Sequence, residues 1–185
     1  WRGLGYYGRA RRIHEAAQKV MNDPHLRGQL PANAQELMEH IPGVGPYTAG
    51  AISSIVFGHA VPILDGNVAR VLCRQTGLYS DPRAKSTNDL LWHMARMLVE
   101  SVAPHERSDV PGRWNQGLME LGSTLCTPTR PGCDTCPIKP TCLTYAEGRM
   151  YEGDLAQSEE KDMEDLCTWC APIPVSYTHL TLPTK

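Results

Sequence analysis

The sequence predicts an all-α fold, and three features of its 185 residues support this prediction. Apolar side chains recur at helical spacing in several separate stretches, whereas no stretch alternates apolar and polar residues convincingly as a strand would. Pro and Gly interrupt the chain between these stretches, as they do where loops join helices. Four cysteines within 17 residues follow the last strong helical pattern. They indicate a loop that wraps a metal centre.

The composition is compatible with one domain or two small lobes. Hydrophobic residues make up 41% of the chain, and no run of about 18 apolar residues predicts a membrane span. The net charge of −2 conceals an asymmetry, because residues 1–77 carry 8 Lys and Arg against 5 Asp and Glu, whereas residues 146–185 carry 3 against 8. A basic first part leaves nucleic-acid binding open. Seven cysteines without a visible secretory signal favour metal ligation over disulfides.

The first predicted helix covers residues 6–21. Its apolar face consists of residues at helical spacing, namely Ile13, Ala16, Ala17 and Val20. Three arginines lie at its basic end, Arg9, Arg11 and Arg12. They form either a solvated face or a set of phosphate contacts.

A helix, a Gly-rich hairpin and a second helix are predicted for residues 33–58. Asn33 is suited to cap the first helix, and Glu36 follows at the spacing of a capping box. The residues Pro42-Gly43-Val44-Gly45 cannot continue a helix, and Pro46 suits the first turn of the next one. The apolar face of this next helix comprises Ala49, Ile52, Ile55 and Val56, and Gly58 is a plausible stop. Such a hairpin is either an anion site or a tight turn between packed helices.

An acidic residue opens the next helical pattern. Asp65-Gly66-Asn67 follows an apolar segment and precedes Val68, Val71 and Leu72. Asp65 is suited to cap this helix, and a carboxylate at that place could also lie beside a sugar. Two further helices are predicted. Residues 86–102 would bury Leu90, Leu91, Met94, Met97 and Leu98, and residues 114–125 would bury Leu118, Leu121 and Leu125.

The cysteines fall into two groups. Cys126, Cys133, Cys136 and Cys142 have the spacing C-x6-C-x2-C-x5-C, which suits either zinc or an iron–sulfur cluster. Disulfides or free thiols are the alternative. Of the others, Cys167 and Cys170 form a C-x-x-C pair, and Cys73 is either a metal ligand or a small buried hydrophobe.

Two segments resemble a known family. IPGVGPYTAGAI at 41–52, followed by LDGNVARVL at 64–72, resembles the helix-hairpin-helix and catalytic-aspartate region of the endonuclease III superfamily of DNA glycosylases. The opening residues WRGLGYY resemble the adenine-glycosylase, or MutY-type, branch of that superfamily. The cysteine spacing is similar to its [4Fe–4S] loop, and the resemblance covers about residues 1–146.

The resemblance implies a helix-hairpin-helix glycosylase fold and an enzyme that hydrolyses the N-glycosidic bond of adenine opposite 8-oxoguanine or guanine. Asp65 would stabilise the sugar cation, Asn67 would orient Asp65 or the water, and Tyr47 would assist near the sugar. Bifunctional relatives have a Lys at the position of Tyr47, so the chain is expected to be monofunctional. Double-stranded DNA would contact Leu4, Tyr6, Gly43, Val44, Gly45 and Thr48. Glu120 would contact the flipped adenine, unless it is only an exposed helix acid.

One departure from the family concerns the general acid. The family has a Glu upstream of the segment that matches Trp1–Tyr7, and no residue here corresponds to it. We therefore expect an N-terminally truncated fragment that is inactive alone. The alternatives are another endonuclease III-type glycosylase, a non-catalytic iron–sulfur module that binds DNA, and a four-Cys zinc protein.

Four regions are expected along the chain. Residues 1–77 form a partial helical-barrel lobe with the hairpin and Asp65, and residues 78–146 form a helical iron–sulfur lobe. Residues 147–175 form an acidic linker, and residues 176–185 a non-native tail. By resemblance to animal relatives, Cys73, Cys167 and Cys170 are candidate zinc ligands. We expect a monomer with no membrane association and repair proteins as candidate partners of the linker. The expected location is the nucleus, with the mitochondrion second, for an animal source and the cytoplasm otherwise.

Overall fold

The computed structural model describes residues 1–103 and 108–155, with side chains through Met150. These residues contain α-helices and no β-strand, which confirms the all-α prediction. The α-helices are α1 (Tyr7–Asn22), α2 (Ala34–His40), α3 (Pro46–Ala51), α4 (Gly66–Thr76), α5 (Lys85–Val102), α6 (Val110–Thr124) and α7 (Leu143–Leu155). In this part of the chain, no helix is long and apolar enough to cross a membrane.

The chain forms two compact units, and each is assembled from separate segments. The first unit contains Trp1–Ile63 and Arg96–Asn115, and the second contains Leu64–Ala95 and the described residues from Gln116 onward. The two lobes expected from the sequence were continuous segments and so differ from these units. A pattern of neighbouring residues does not reveal which distant segments pack together. Helix α7 also extends to Leu155, into the stretch predicted as linker.

The core of the first unit lies between α1, α2 and α3. Its buried residues are Val20, Leu37, Ile41 and Ala49. Asn33 caps α2 as predicted, since its Oδ1 accepts a hydrogen bond from Gln35 N–H at 2.8 Å. The predicted apolar face of α1 is only partly right, because Ile13 is 54% exposed and Ala17 is exposed too.

A turn of π-helix at Ile52–Val56 changes which side chains of the hairpin unit are buried. Helix α3 begins at Pro46 as predicted but ends at Ala51, and the π turn continues the helical run up to Val56. Ile55 and Val56 are 43% and 67% exposed. Ser53 and Ser54 are buried instead. The prediction assumed an unbroken α-helical period, and the wider π turn shifts that period by one residue.

In the second unit, α4 is the most deeply buried helix. Asp65 caps its start as predicted, and Gly77 ends it with a left-handed φ of 61°. On α5, Leu91 and Ala95 are buried, whereas Leu90 is 44% exposed, contrary to prediction. The predicted core positions of α6 are only half-buried, and these are Leu118, Leu121 and Leu125. Met97, also expected inside, is 58% exposed.

Candidate functional site

The first residues form a tight turn that presents large apolar side chains. The Trp1 indole N–H donates to the Gly5 carbonyl at 2.9 Å, and the Gly3 N–H donates to the Tyr7 hydroxyl at 3.2 Å. Leu4 and Tyr6, both predicted DNA contacts, are 75% and 58% exposed. Tyr6 has a φ of 52°, a left-handed conformation that costs about 1–2 kcal/mol for a residue with a Cβ. Strain of this kind occurs at many active sites and ligand-binding sites.

The hairpin between α2 and α3 exposes its backbone. Gly43 is exposed and has a φ of 79°, which favours glycine. Within the described residues, the N–H groups of Gly43 and Gly45 make no hydrogen bond. Thr48 and Tyr47 follow on α3 and are half-buried. The hairpin therefore has backbone donors available to a ligand, and its role as an anion site stays a prediction.

The carboxylate of Asp65 has a fixed orientation. Its Oδ1 accepts a hydrogen bond from Val68 N–H at 2.8 Å, and its Oδ2 accepts one from Asn67 Nδ2 at 3.1 Å. Asn67 is held in turn, because Arg70 Nη2 donates to its Oδ1 at 2.9 Å. Asp65, Asn67 and Arg70 are therefore one hydrogen-bonded group, which we call the carboxylate cluster. The two sequence-predicted members, Asp65 and Asn67, lie together.

Arg70 also connects this cluster to α6. It is only 5% exposed, and it donates to the Gly122 carbonyl at 2.5 Å and to the Cys126 carbonyl at 2.7 Å. Gly122 lies directly against Asn67, since a Cβ at Gly122 would come within 2.8 Å of the Asn67 Cβ. A glycine is required there if Asn67 is to keep its position.

A second buried arginine holds the start of the cysteine loop. Arg74 is 4% exposed and donates to the Thr127 carbonyl at 2.7 Å and the Pro128 carbonyl at 3.0 Å. It also donates to the Cys126 Sγ at 3.4 Å. Sequence reasoning missed Arg70 and Arg74. The available signal was two cations four residues apart on a helix that is otherwise apolar on that side.

The four cysteines of the loop line one cavity of about 380 Å³ in the second unit, together with residues of α4, α6 and α7. They are Cys126, Cys133, Cys136 and Cys142. Burial raises the pKa of the Cys142 thiol, and nearby Cys126 and Cys136 raise it further by charge repulsion. Thiols ionise when they bind a metal centre, because the cation offsets the charge of the thiolates. The donor set therefore fits an iron–sulfur cluster or zinc. Among the described residues, no three His, Cys, Asp or Glu side chains are arranged to hold a metal ion.

The roles predicted for the remaining site residues stay predictions. Glu120 is exposed on α6, so its contact with a substrate base stays a prediction. Cys73 is buried on α4 at 8% exposure, as expected of a small core residue. Cys167 and Cys170 lie outside the described residues, so the zinc site stays a prediction too.

Comparison with known proteins identifies the family. The HhH-GPD superfamily base excision DNA repair protein family matches residues 1–97. An adenine DNA glycosylase of Homo sapiens is 43% identical over 187 residues, which cover 99% of this chain and 31% of the human protein. An adenine DNA glycosylase of Schizosaccharomyces pombe is 40% identical over 172 residues, which cover 92% of this chain and 35% of the yeast protein.

Solved structures agree with these relatives. A thermostable thymine-DNA glycosylase has a TM-score of 0.60 and 30% identity, with 76% of this chain and 59% of that chain covered. A non-covalent endonuclease III–DNA complex has a TM-score of 0.57 and 25% identity, with 80% and 62% covered. The chain spans about a third of the length of the human and yeast relatives. Because the family match extends over more than half of the 185 residues, this chain belongs to the HhH-GPD superfamily of base excision DNA repair proteins.

Proposed function

We propose that the protein containing this chain is a monofunctional adenine DNA glycosylase that acts on adenine opposite 8-oxoguanine or guanine in duplex DNA. The observation that carries the proposal is the carboxylate cluster, in a chain 43% identical to a human adenine DNA glycosylase. Asp65 stands in the family segment that the sequence resembles, and it is already oriented by its neighbours.

The chemistry follows from the charge and the position of this carboxylate. Departure of a base from the sugar leaves an oxocarbenium-like cation, and a fixed anion lowers the energy of that state. Val68 N–H and Asn67 hold both oxygens of Asp65, so little reorganisation is needed when the positive charge develops. The target base must first leave the stack, and the exposed Leu4 and Tyr6 are suited to fill the gap.

The absence of an amine at position 47 supports hydrolysis without strand cleavage. A bifunctional glycosylase forms a Schiff base through a lysine, and Tyr47 has a phenol instead. Tyr47 is half-buried at the start of α3. In this proposal it packs near the sugar and does not form a covalent intermediate.

The cysteine loop would hold a [4Fe–4S] cluster through Cys126, Cys133, Cys136 and Cys142. When bound, such a cluster would cross-link the loop through these four thiolates, and by resemblance to the family its role would be structural. Arg74 and Gln75 of α4 donate hydrogen bonds to the loop, the latter to Thr141 Oγ1 at 2.5 Å. We infer that the iron–sulfur cluster also stabilises the carboxylate cluster, because Arg70 donates a hydrogen bond to the Cys126 carbonyl at the start of the loop.

The test of the activity is single-turnover base release by the whole protein in which this sequence occurs. Duplexes with adenine opposite 8-oxoguanine, adenine opposite thymine and thymine opposite guanine should be compared at one salt concentration. We expect rapid release of adenine from the first substrate only. Rapid release of thymine would instead favour the second candidate, a thymine glycosylase like the solved relative at 30% identity. No release of either base would support a DNA-binding module without catalysis.

The test of the cofactor is metal analysis after anaerobic purification. We expect about four irons per chain and a brown colour, and Cys133→Ser should lose iron and solubility together. Stoichiometric zinc in a colourless protein would contradict the cluster. If Cys73 also binds zinc with Cys167 and Cys170, then Cys73→Ser should remove a second metal without loss of colour. One type of metal only would leave Cys73 as a core residue.

A further inference from the structure

The inference concerns Arg12, a cation of α1 that lies against the hairpin. A Cβ added to Gly43 would come within 2.8 Å of the Arg12 Cβ and 2.9 Å of its Cδ. The aliphatic part of Arg12 therefore lies on the bare backbone of Gly43. Because Nε is bonded directly to Cδ, the guanidinium begins one bond beyond this contact and lies at the hairpin.

Arg12 has no other use within the described part of the chain. It is half-buried, yet its side chain makes no hydrogen bond and no ion pair with any described residue. Its neighbour Arg9 differs, since the Arg9 guanidinium lies 5.4 Å from the centre of the Tyr6 ring. A guanidinium has five N–H donors, and partial burial without a partner costs free energy. That cost is recovered when an anion binds.

The hairpin supplies further donors at the same place. The N–H groups of Gly43 and Gly45 are not hydrogen-bonded to any described residue. An arginine fork beside unpaired backbone N–H groups is the arrangement that binds a phosphate through two oxygens. Gly43 contributes to both the turn and the arginine contact, because its positive φ allows the turn and its lack of a side chain leaves room for Arg12.

Gly43 and Gly45 are DNA contacts already expected from the sequence, and we propose that Arg12 is a further contact that binds the same backbone phosphodiester of duplex DNA. This inference rests on the proposed function, because it takes DNA to be the ligand. The contact carries no sequence information. It fixes the position of the duplex on the first unit.

The experiment measures the salt dependence of duplex binding for the whole protein with Asp65→Asn as the common background, so that no base is released. Arg12→Met keeps the aliphatic packing on Gly43 and removes the charge. We expect the negative slope of the logarithm of the binding constant against the logarithm of salt concentration to become shallower by about 0.9, the value for one phosphate contact. We also expect affinity to fall several-fold at moderate salt. Arg12→Lys should keep most of the slope, because it retains the charge.

Arg11→Met is the matched control, since Arg11 is an exposed arginine on the same helix. It should change the slope much less than Arg12→Met. Equal changes in the two variants, or none in Arg12→Met, would overturn the assignment of Arg12 while leaving DNA binding intact. Absence of duplex binding in the Asp65→Asn parent would instead count against the proposed function.

A second arm separates DNA from a free anion. Inorganic phosphate alone, followed by calorimetry, should give no binding, because one free ion gains too little at a surface site that is open to water. Phosphate binding that Arg12→Met abolishes would reassign the site to a small anion and overturn the proposal. Thermal unfolding of each variant confirms that the fold is kept.

Discussion

The hairpin and the carboxylate cluster differ in whether their polar groups have hydrogen-bond partners within the described residues. At the hairpin of the first unit, the N–H groups of Gly43 and Gly45 and the guanidinium of Arg12 have no partner among the described residues. In the second unit, both oxygens of Asp65 accept hydrogen bonds, and Arg70 donates to several acceptors.

The difference separates two kinds of site. Groups that bind an external phosphate must have free hydrogen-bond donors before the phosphate arrives, so the free protein contains donors without protein partners. A carboxylate that must face a short-lived cation needs a fixed position, so its neighbours are satisfied in advance. In our proposal, arginine is therefore a ligand contact in one unit, whereas Arg70 is a structural support in the other. Substitutions in the two regions should fail in different ways.

The largest expected effect is that of Asp65→Asn on catalysis. The side chain keeps its shape but loses its charge, so single-turnover adenine release should fall by about a thousandfold or more. Affinity for the duplex, measured by anisotropy, should change little. Normal release would show that Asp65 is only the cap of α4.

The next effect is on stability, and it compares two arginines directly. Arg70→Met leaves the Gly122 and Cys126 carbonyls without their donor, and should lower the free energy of unfolding by about 3 kcal/mol or more. Arg12→Met breaks no hydrogen bond to a described residue and should change it by less than about 1 kcal/mol. Denaturant unfolding measures both, and similar losses would contradict the distinction between the two regions.

A smaller effect is expected from a change in hairpin charge. Gly45 has a φ of −103°, and a Cβ there would meet nothing within 4 Å, so Gly45→Asp should fold normally. Its carboxylate should repel phosphate and weaken duplex binding about tenfold at low salt. Gly45→Ala is the control and should bind as the wild type does. Unchanged affinity of the Asp variant would exclude a phosphate at this turn.

The smallest effect is a gain of function at position 47. Tyr47→Lys should add weak strand cleavage to base release, because it places an amine where bifunctional relatives have one. Borohydride trapping of a covalent complex with DNA is the measurement. A variant that releases adenine yet traps no DNA would place residue 47 too far from the sugar.

Local rules account for what the sequence predicted well. Asn33 and Asp65 each accept a hydrogen bond from a backbone N–H two or three residues ahead, and Pro46 begins α3. Each of these contacts is made within one turn of chain, so the residue types alone predict it. The cysteine spacing is likewise local, and the four residues do line one cavity.

Contacts between distant segments account for what the sequence did not predict. Arg70 reaches the Cys126 carbonyl, and Asn115 reaches Ser54 Oγ at 2.9 Å. No short-range pattern specifies either partner. The buried serines of the π turn follow the same principle, since Ser53 Oγ donates to the Ala32 carbonyl at 2.8 Å. Hydrophobic periodicity assigns buried positions to apolar residues only, so it could not predict that these serines are buried.

Gly122 has a consequence for inherited variation in this protein. It has no reactive atom, yet a single methyl group there would come within 2.8 Å of Asn67, which holds Asp65. In a mutational scan, substitutions at Gly122 should therefore score as severely as changes to the carboxylate itself. Gly117, on the same helix, has nothing within 4 Å of an added Cβ and should tolerate small side chains. Position along the helix, and not chemical type, would then separate damaging glycine variants from harmless ones.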